Sequence, residues 1–165
     1  MKDNYRHILL AVDFTAHGNY VAQKAQYLAE IFKTKLSIIH VLDNIPMPDT
    51  AYGSAIPLNE HSGYDLLEAE KFKLKQIGVQ LGVGPSHLWL IWGIPGQEIV
   101  RIANQENVDL IIVGSHGRHG LALLLGSTAN SVLHHAKCDV IAVRLRDEAE
   151  SDEPLLEKIE LNPLG

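Results

Sequence analysis

Five short apolar runs, His7–Val12, Leu36–Leu42, His87–Trp92, Leu110–Val113 and Val140–Leu145, constrain this chain more than any other feature. Most lack the apolar/polar alternation of a strand with one wet face, which is the pattern of strands covered on both sides in a parallel sheet. The segments between them change period. Val21, Ala25, Leu28 and Phe32 fall on one helical stripe, and Leu67, Leu74, Ile77 and Leu81 on a second that Gly82 and Gly84 stop. A short helix from Pro95 would carry Ile99 and Ile102, and another from Ser127 would carry Val132, Leu133 and Ala136. Strand and helix therefore alternate, which predicts an α/β fold: one doubly wound, five-stranded parallel sheet with helices on both faces.

Two regions escape the pattern. Residues 43–63 hold Pro46, Pro48 and Pro57 without periodicity, and they read as a long, mobile loop rather than a plain connector. Beyond the domain, expected over residues 1–147, residues 148–165 form an acidic tail. Its motif Leu155-Leu156-xx-Ile159-x-Leu161 leaves open a solvated terminus or a short docked helix. The formal charge of −6 is concentrated there, since residues 146–165 carry seven acids against two bases and leave the body near −1. A body without cationic excess argues against nucleic acid or an anionic membrane as a main partner. The single cysteine, Cys138, cannot close an internal disulfide, and the apolar run Ile8–Val12 stops at Asp13, too short for a signal-peptide core or a membrane span. The expectation is a soluble cytoplasmic protein.

Ligands of such sheets sit beyond the carboxyl ends of the strands, where strand order reverses. After the first run comes Asp13-Phe14-Thr15. After the fourth comes Gly114-Ser115-His116-Gly117-Arg118-His119-Gly120, with Gly126-Ser127-Thr128 at the start of a helix. Glycines that let main-chain amides approach an anion, followed by hydroxyls at a helix N-terminus, are phosphate-binding chemistry. A flexible loop with Ser127 or Thr128 capping its helix uses the same residues.

The blocks His7-Ile8-Leu9-Leu10-Ala11-Val12-Asp13, Leu110–Gly117, Leu123–Thr128 and Cys138–Arg144, in that order, resemble the universal stress protein family over about residues 5–147. The resemblance implies strand order 3-2-1-4-5 in an adenine nucleotide alpha hydrolase-like fold, a homodimer, and in many members bound ATP or AMP. The family motif Gly-x2-Gly-x9-Gly-Ser/Thr is met by Gly114, Gly117, Gly126 and Ser127, except that residues 118–125 make a span of eight, one fewer than the pattern. By the same resemblance Asp13 and Val41 would meet adenine and ribose, and Gly114, Gly117, Gly126, Ser127 and Thr128 would hold ribose and phosphates. Read by themselves, Asp13 suits a turn or cap equally, and Val41 suits core packing. The closing Leu145-Arg146-Asp147-Glu148 is similar to a class of the family that binds no nucleotide. That leaves the alternative of a nucleotide-free dimer acting as a protein-interaction module.

In the implied order the last strand is an edge without a blocking charge or proline, so Val140, Ile141, Ala142, Val143 and Arg144 are the expected dimer interface. His116 and His119 supply at most two ligands, fewer than zinc requires, so no metal is expected. Trp89 and Trp92 fall on opposite strand faces and suit packing. Neither Gly-x-x-x-x-Gly-Lys-Ser/Thr nor Gly-x-Ser-x-Gly occurs. The function expected is therefore nucleotide binding in a stress response, with slow or no hydrolysis and no enzyme chemistry of its own.

Overall fold

The computed structural model describes residues 4–15, 17–47, 49–115 and 125–145. Five strands and four helices alternate: β1 His7–Ala11, α1 Gly18–Phe32, β2 Lys35–Leu42, α2 Asp65–Leu81, β3 Leu88–Trp92, α3 Pro95–Gln105, β4 Leu110–Gly114, α4 Ser127–His135 and β5 Asp139–Val143. All ladders between these strands are parallel, and the sheet order is β3-β2-β1-β4-β5, as the apolar runs and the resemblance imply. The last strand begins one residue earlier and ends two earlier than the apolar run, because the Leu145 amide turns to the Ser115 hydroxyl at 3.2 Å.

The unbroken runs are explained by the two cores. Ile8, Leu10, Ile38 and Leu42 face α1 and α2, while Leu9, Ile39, Ile91 and Ile111 face α3 and α4. The central β1 has Ile8, Leu9 and Leu10 all fully buried, each contributing about 1.5–3 kcal/mol of transfer free energy. The α2 stripe is less apolar than its leucines suggest. Lys71 is 3% exposed within it, and its ammonium donates to the Glu60 carbonyl at 2.6 Å and to Glu68 at 3.0 Å. On α4, Val132 is buried but Leu133 points outward, a correction to the stripe expected there, since the short helix packs only one line of residues on α3.

The proline-rich segment after β2 is more structured than its composition suggests. Gly53–Ile56 runs antiparallel along the outer edge of β3: the Gly53 amide donates to Trp92, the Trp92 amide to Ser54, and the Ile56 amide to Leu90, at 2.7, 3.3 and 2.8 Å. Arg101 on α3 clasps this strap through the Gly53 carbonyl at 2.8 Å. Among the described residues no helix is long and apolar enough to cross a membrane.

Candidate functional site

The strand order reverses between β1 and β4: β1 leads through α1 to β2 on one side, and β4 through α4 to β5 on the other. Ala11 is level with Ile39 and Leu10 with Ile112. Extending that register sets Asp13, Val41 and Ser115 at one height, Asp13 and Ser115 just past the ends of β1 and β4 and Val41 in the last residues of β2.

One wall is the turn after β1. Asp13 Oδ1 accepts from the Thr15 amide at 3.0 Å and from the Thr15 hydroxyl at 2.8 Å, closing an Asx turn. Helix α1 starts behind it at His17, which makes no side-chain cap bond, so Asp13 shapes the turn rather than the helix end. Phe14 has φ of 58°, a left-handed conformation that costs a bulky residue on the order of 1–3 kcal/mol. Its ring lies 4.1 Å from that of His40 on β2, with the Lys73 ammonium 5.7 Å from the Phe14 centroid. His40 is buried, and its Nδ1 is 2.7 Å from the Val12 carbonyl. A carbonyl only accepts, so Nδ1 is the donor of that contact. The other nitrogen, Nε2, lies 3.5 Å from Glu70 Oε2. The His40 ring, and beyond it Lys73, hold the Glu70 carboxyl below the usual carboxylate range against the opposing effect of burial.

The second wall is the end of β4. The Ser115 amide donates to Val143 at 2.8 Å, and its carbonyl accepts the Gly126 amide at 2.6 Å, which joins the two ends of the segment 116–124. Gly126 then caps α4 with extended backbone, φ −61° and ψ 154°, and no side-chain cap bond is present. Neither hydroxyl of Ser127 or Thr128 therefore caps its own helix. The first amide with an acceptor inside the helix is that of Asn130, which donates to the Gly126 carbonyl at 2.9 Å, so the amides of Ser127, Thr128 and Ala129, at the positive end of the helix, have no intrahelical acceptor, an arrangement suited to an anion.

Of the residues singled out in the sequence, Asp13 lies just past β1, Gly114 ends β4, and Gly126, Ser127 and Thr128 open α4. The Gly126 amide is engaged by Ser115, so that glycine supplies the cap conformation rather than a donor. The Val41 side chain packs with Leu9 and Ile39 into the core below α3, leaving its main chain at the crevice. Gly117 lies outside the described residues, as do His116, Arg118, His119, Gly120 and the tail 148–165. Val140–Val143 occupy β5, with Arg144 just beyond. The sequence reading passed over His40, Phe14 and Glu70; the one signal available was a lone polar ring interrupting the apolar run of β2. Among the described residues no three His, Cys, Asp or Glu side chains gather as metal ligands do.

The model of the universal stress protein family matches residues 4–144. This chain belongs to the universal stress protein family. It is 40% identical over 145 residues to Universal stress protein A homolog 2 of Coxiella burnetii, covering 87% of this chain and 98% of that one. Among solved structures, the hypothetical protein MJ0577 superposes with a TM-score of 0.66 at 28% identity, over 87% of this chain and 99% of the other. A universal stress protein in complex with cAMP superposes with a TM-score of 0.56 at 19% identity, over 86% and 98%.

Proposed function

We propose that this universal stress protein binds an adenine nucleotide, ATP or a relative such as AMP, in the crevice between the β1 and β4 loops, and acts as a cytoplasmic homodimer in a stress response. The observation that carries the reading is the opposition, across the strand reversal, of the Asp13 turn and the open N-terminus of α4. Asp13 and the Val41 main chain offer hydrogen bonds to base and ribose, while Gly114, Gly117, Ser127 and Thr128 surround the phosphates. A structural neighbour of the same fold holds cAMP, an adenine nucleotide of comparable size. No lysine stands in a Gly-x-x-x-x-Gly-Lys-Ser/Thr loop to offset charge on a transferring phosphoryl group, so binding outlasts hydrolysis and the role is sensing. The β5 edge joins the two subunits.

Calorimetry with ATP tests this directly. Wild type gives a saturable heat, and Gly117→Val, whose branched side chain blocks close approach of the loop, weakens binding at least about tenfold, or 1.4 kcal/mol. Absence of heat from wild type at millimolar ATP ends the nucleotide reading. The engaged Gly126 amide and the shortened glycine loop then favour the second reading, a nucleotide-free dimer that serves as an interaction module.

A further inference from the structure

The turn that carries Asp13 is held from behind by residues that touch no expected ligand. Val12 is fixed through both main-chain groups: its amide donates to the Ile39 carbonyl at 2.9 Å, and its carbonyl accepts from His40 Nδ1 at 2.7 Å. Phe14, two residues on, keeps a conformation that persists only where the surroundings over-determine it. Those surroundings are the His40 ring at 4.1 Å and the Lys73 ammonium at 5.7 Å. His40 shares a strand face with Ile38 and Leu42, where an aliphatic side chain would fill the volume without the cost of burying a polar ring. What the imidazole adds is a donor aimed at Val12 and a second nitrogen 3.5 Å from Glu70. Glu70 Oε1 lies 3.5 Å from the Lys73 ammonium, and Oε2 is buried, with no closer partner among the described residues than the ring it faces.

We propose that His40, oriented by Glu70, is the positioning residue of the nucleotide site: its bond to Val12 and its ring against Phe14 hold the Asp13–Thr15 turn in the shape the ligand meets. This rests on the nucleotide reading above, and it makes α2, which supplies Glu70 and Lys73, a determinant of affinity although it stands outside the crevice. Rigid support of a contacting group from behind is worth as much as the contact itself, because a displacement of one ångström forfeits it.

The test compares His40→Leu, which keeps the volume and removes the donor, with His40→Asn, whose amide nitrogen takes the place of Nδ1. ATP affinity is measured by calorimetry on the full chain, with thermal melting as the folding control and the Thr15 amide resonance of the ligand-free protein as the reporter of the turn. Leu is expected to weaken ATP by about tenfold and displace the Thr15 resonance, and Asn to recover most of both. Equal affinity of His40→Leu and wild type, or equal loss by Leu and Asn with unchanged melting, overturns the proposal. Should wild type bind no ATP, the nucleotide reading falls and the Thr15 resonance decides alone: displacement by Leu but not Asn upholds the support of the turn, and no displacement overturns it. If His40→Leu does not fold, Glu70→Leu against Glu70→Gln makes the same comparison. Gln can still bond to Nε2 and should stay within about threefold of wild type; equal affinities for the two overturn the assignment.

Discussion

At the amino end of β1, far from the crevice, His7 is 5% exposed, with Nδ1 3.1 Å from the Glu106 carbonyl and Nε2 2.7 Å from the Ser37 hydroxyl. The carbonyl places the proton on Nδ1, so the neutral ring accepts from Ser37 and both nitrogens are satisfied. Burial pushes the imidazole below its usual value, outweighing the opposite pull of the Glu106 carbonyl. In the unfolded chain the ring titrates near 6.5. As pH falls, the unfolded state therefore takes up its proton before the folded one, and the stability held by neutral His7 is complete above about pH 6.5 and drains away below it. Urea titrations at pH 7 and 5 should show His7→Gln costing about 1–3 kcal/mol at pH 7, with a smaller further loss at pH 5 than wild type suffers. Parallel losses in both proteins would deny His7 this part. The lowered carboxyls act in a more acidic window: Glu68, held down to about 2 by the Ser62 amide and hydroxyl and by Lys71, gives up its contribution as pH falls from the ordinary 4.5 toward 2, mostly below the interval from pH 7 to 5. His7 and His40 look alike in sequence, each a lone ring in an apolar strand. Only the direction of the strands tells them apart, one ring standing at the amino end of β1 and the other near the carboxyl end of β2.

Among the elements, legibility followed the source of the ordering force. Strands covered on both faces declare themselves by composition, and β1 to β4 lie within a residue of their apolar runs. The strap Gly53–Ile56 did not, because its order comes from main-chain bonds to β3 and the Arg101 clasp, neither of which needs an apolar pattern. Lys71 escaped for a related reason: its partner Glu60 lies in the same irregular segment and offers a carbonyl, a group every residue has. The packing of α3 on α4 was equally hidden. Gly96 lies so near α4 that a Cβ built there would fall on the Ser131 hydroxyl and 2.5 Å from the Ser131 Cβ. Gly96→Ala should accordingly cost about 1–3 kcal/mol in chemical denaturation, despite the better helix propensity of alanine. Combining it with Ser131→Gly should return part of that loss, giving a coupling of about 1 kcal/mol or more. Strict additivity of the two would show that the helices simply slide apart.

For the whole molecule, the two ends of the sheet are unequal. The β3 end is covered by Gly53–Ile56, whereas β5 is the last strand at the other end, with Val140, Ile141 and Ala142 only half-buried. The Val143 carbonyl turns inward to Ser115, so by alternation the main-chain groups of Val140 and Ala142 turn outward. Proline is tolerated at such a position within one subunit but removes the donor a second subunit would use. Light scattering at micromolar concentration should report a dimeric mass for wild type and a monomeric one for Ala142→Pro, with the melting midpoint little changed. A dimeric mass for the variant would take β5 out of the interface. The strand reversal at which the candidate site is proposed was legible at this scale because it follows from element order alone, while the segment 116–124 between its two glycine-bearing ends had to be read from motif spacing. Were β5 the dimer border, as proposed, crowding would complete pairs rather than lengthen them into ribbons, because the backbone of residues 53–56, bonded to Leu90 and Trp92, occupies the other border.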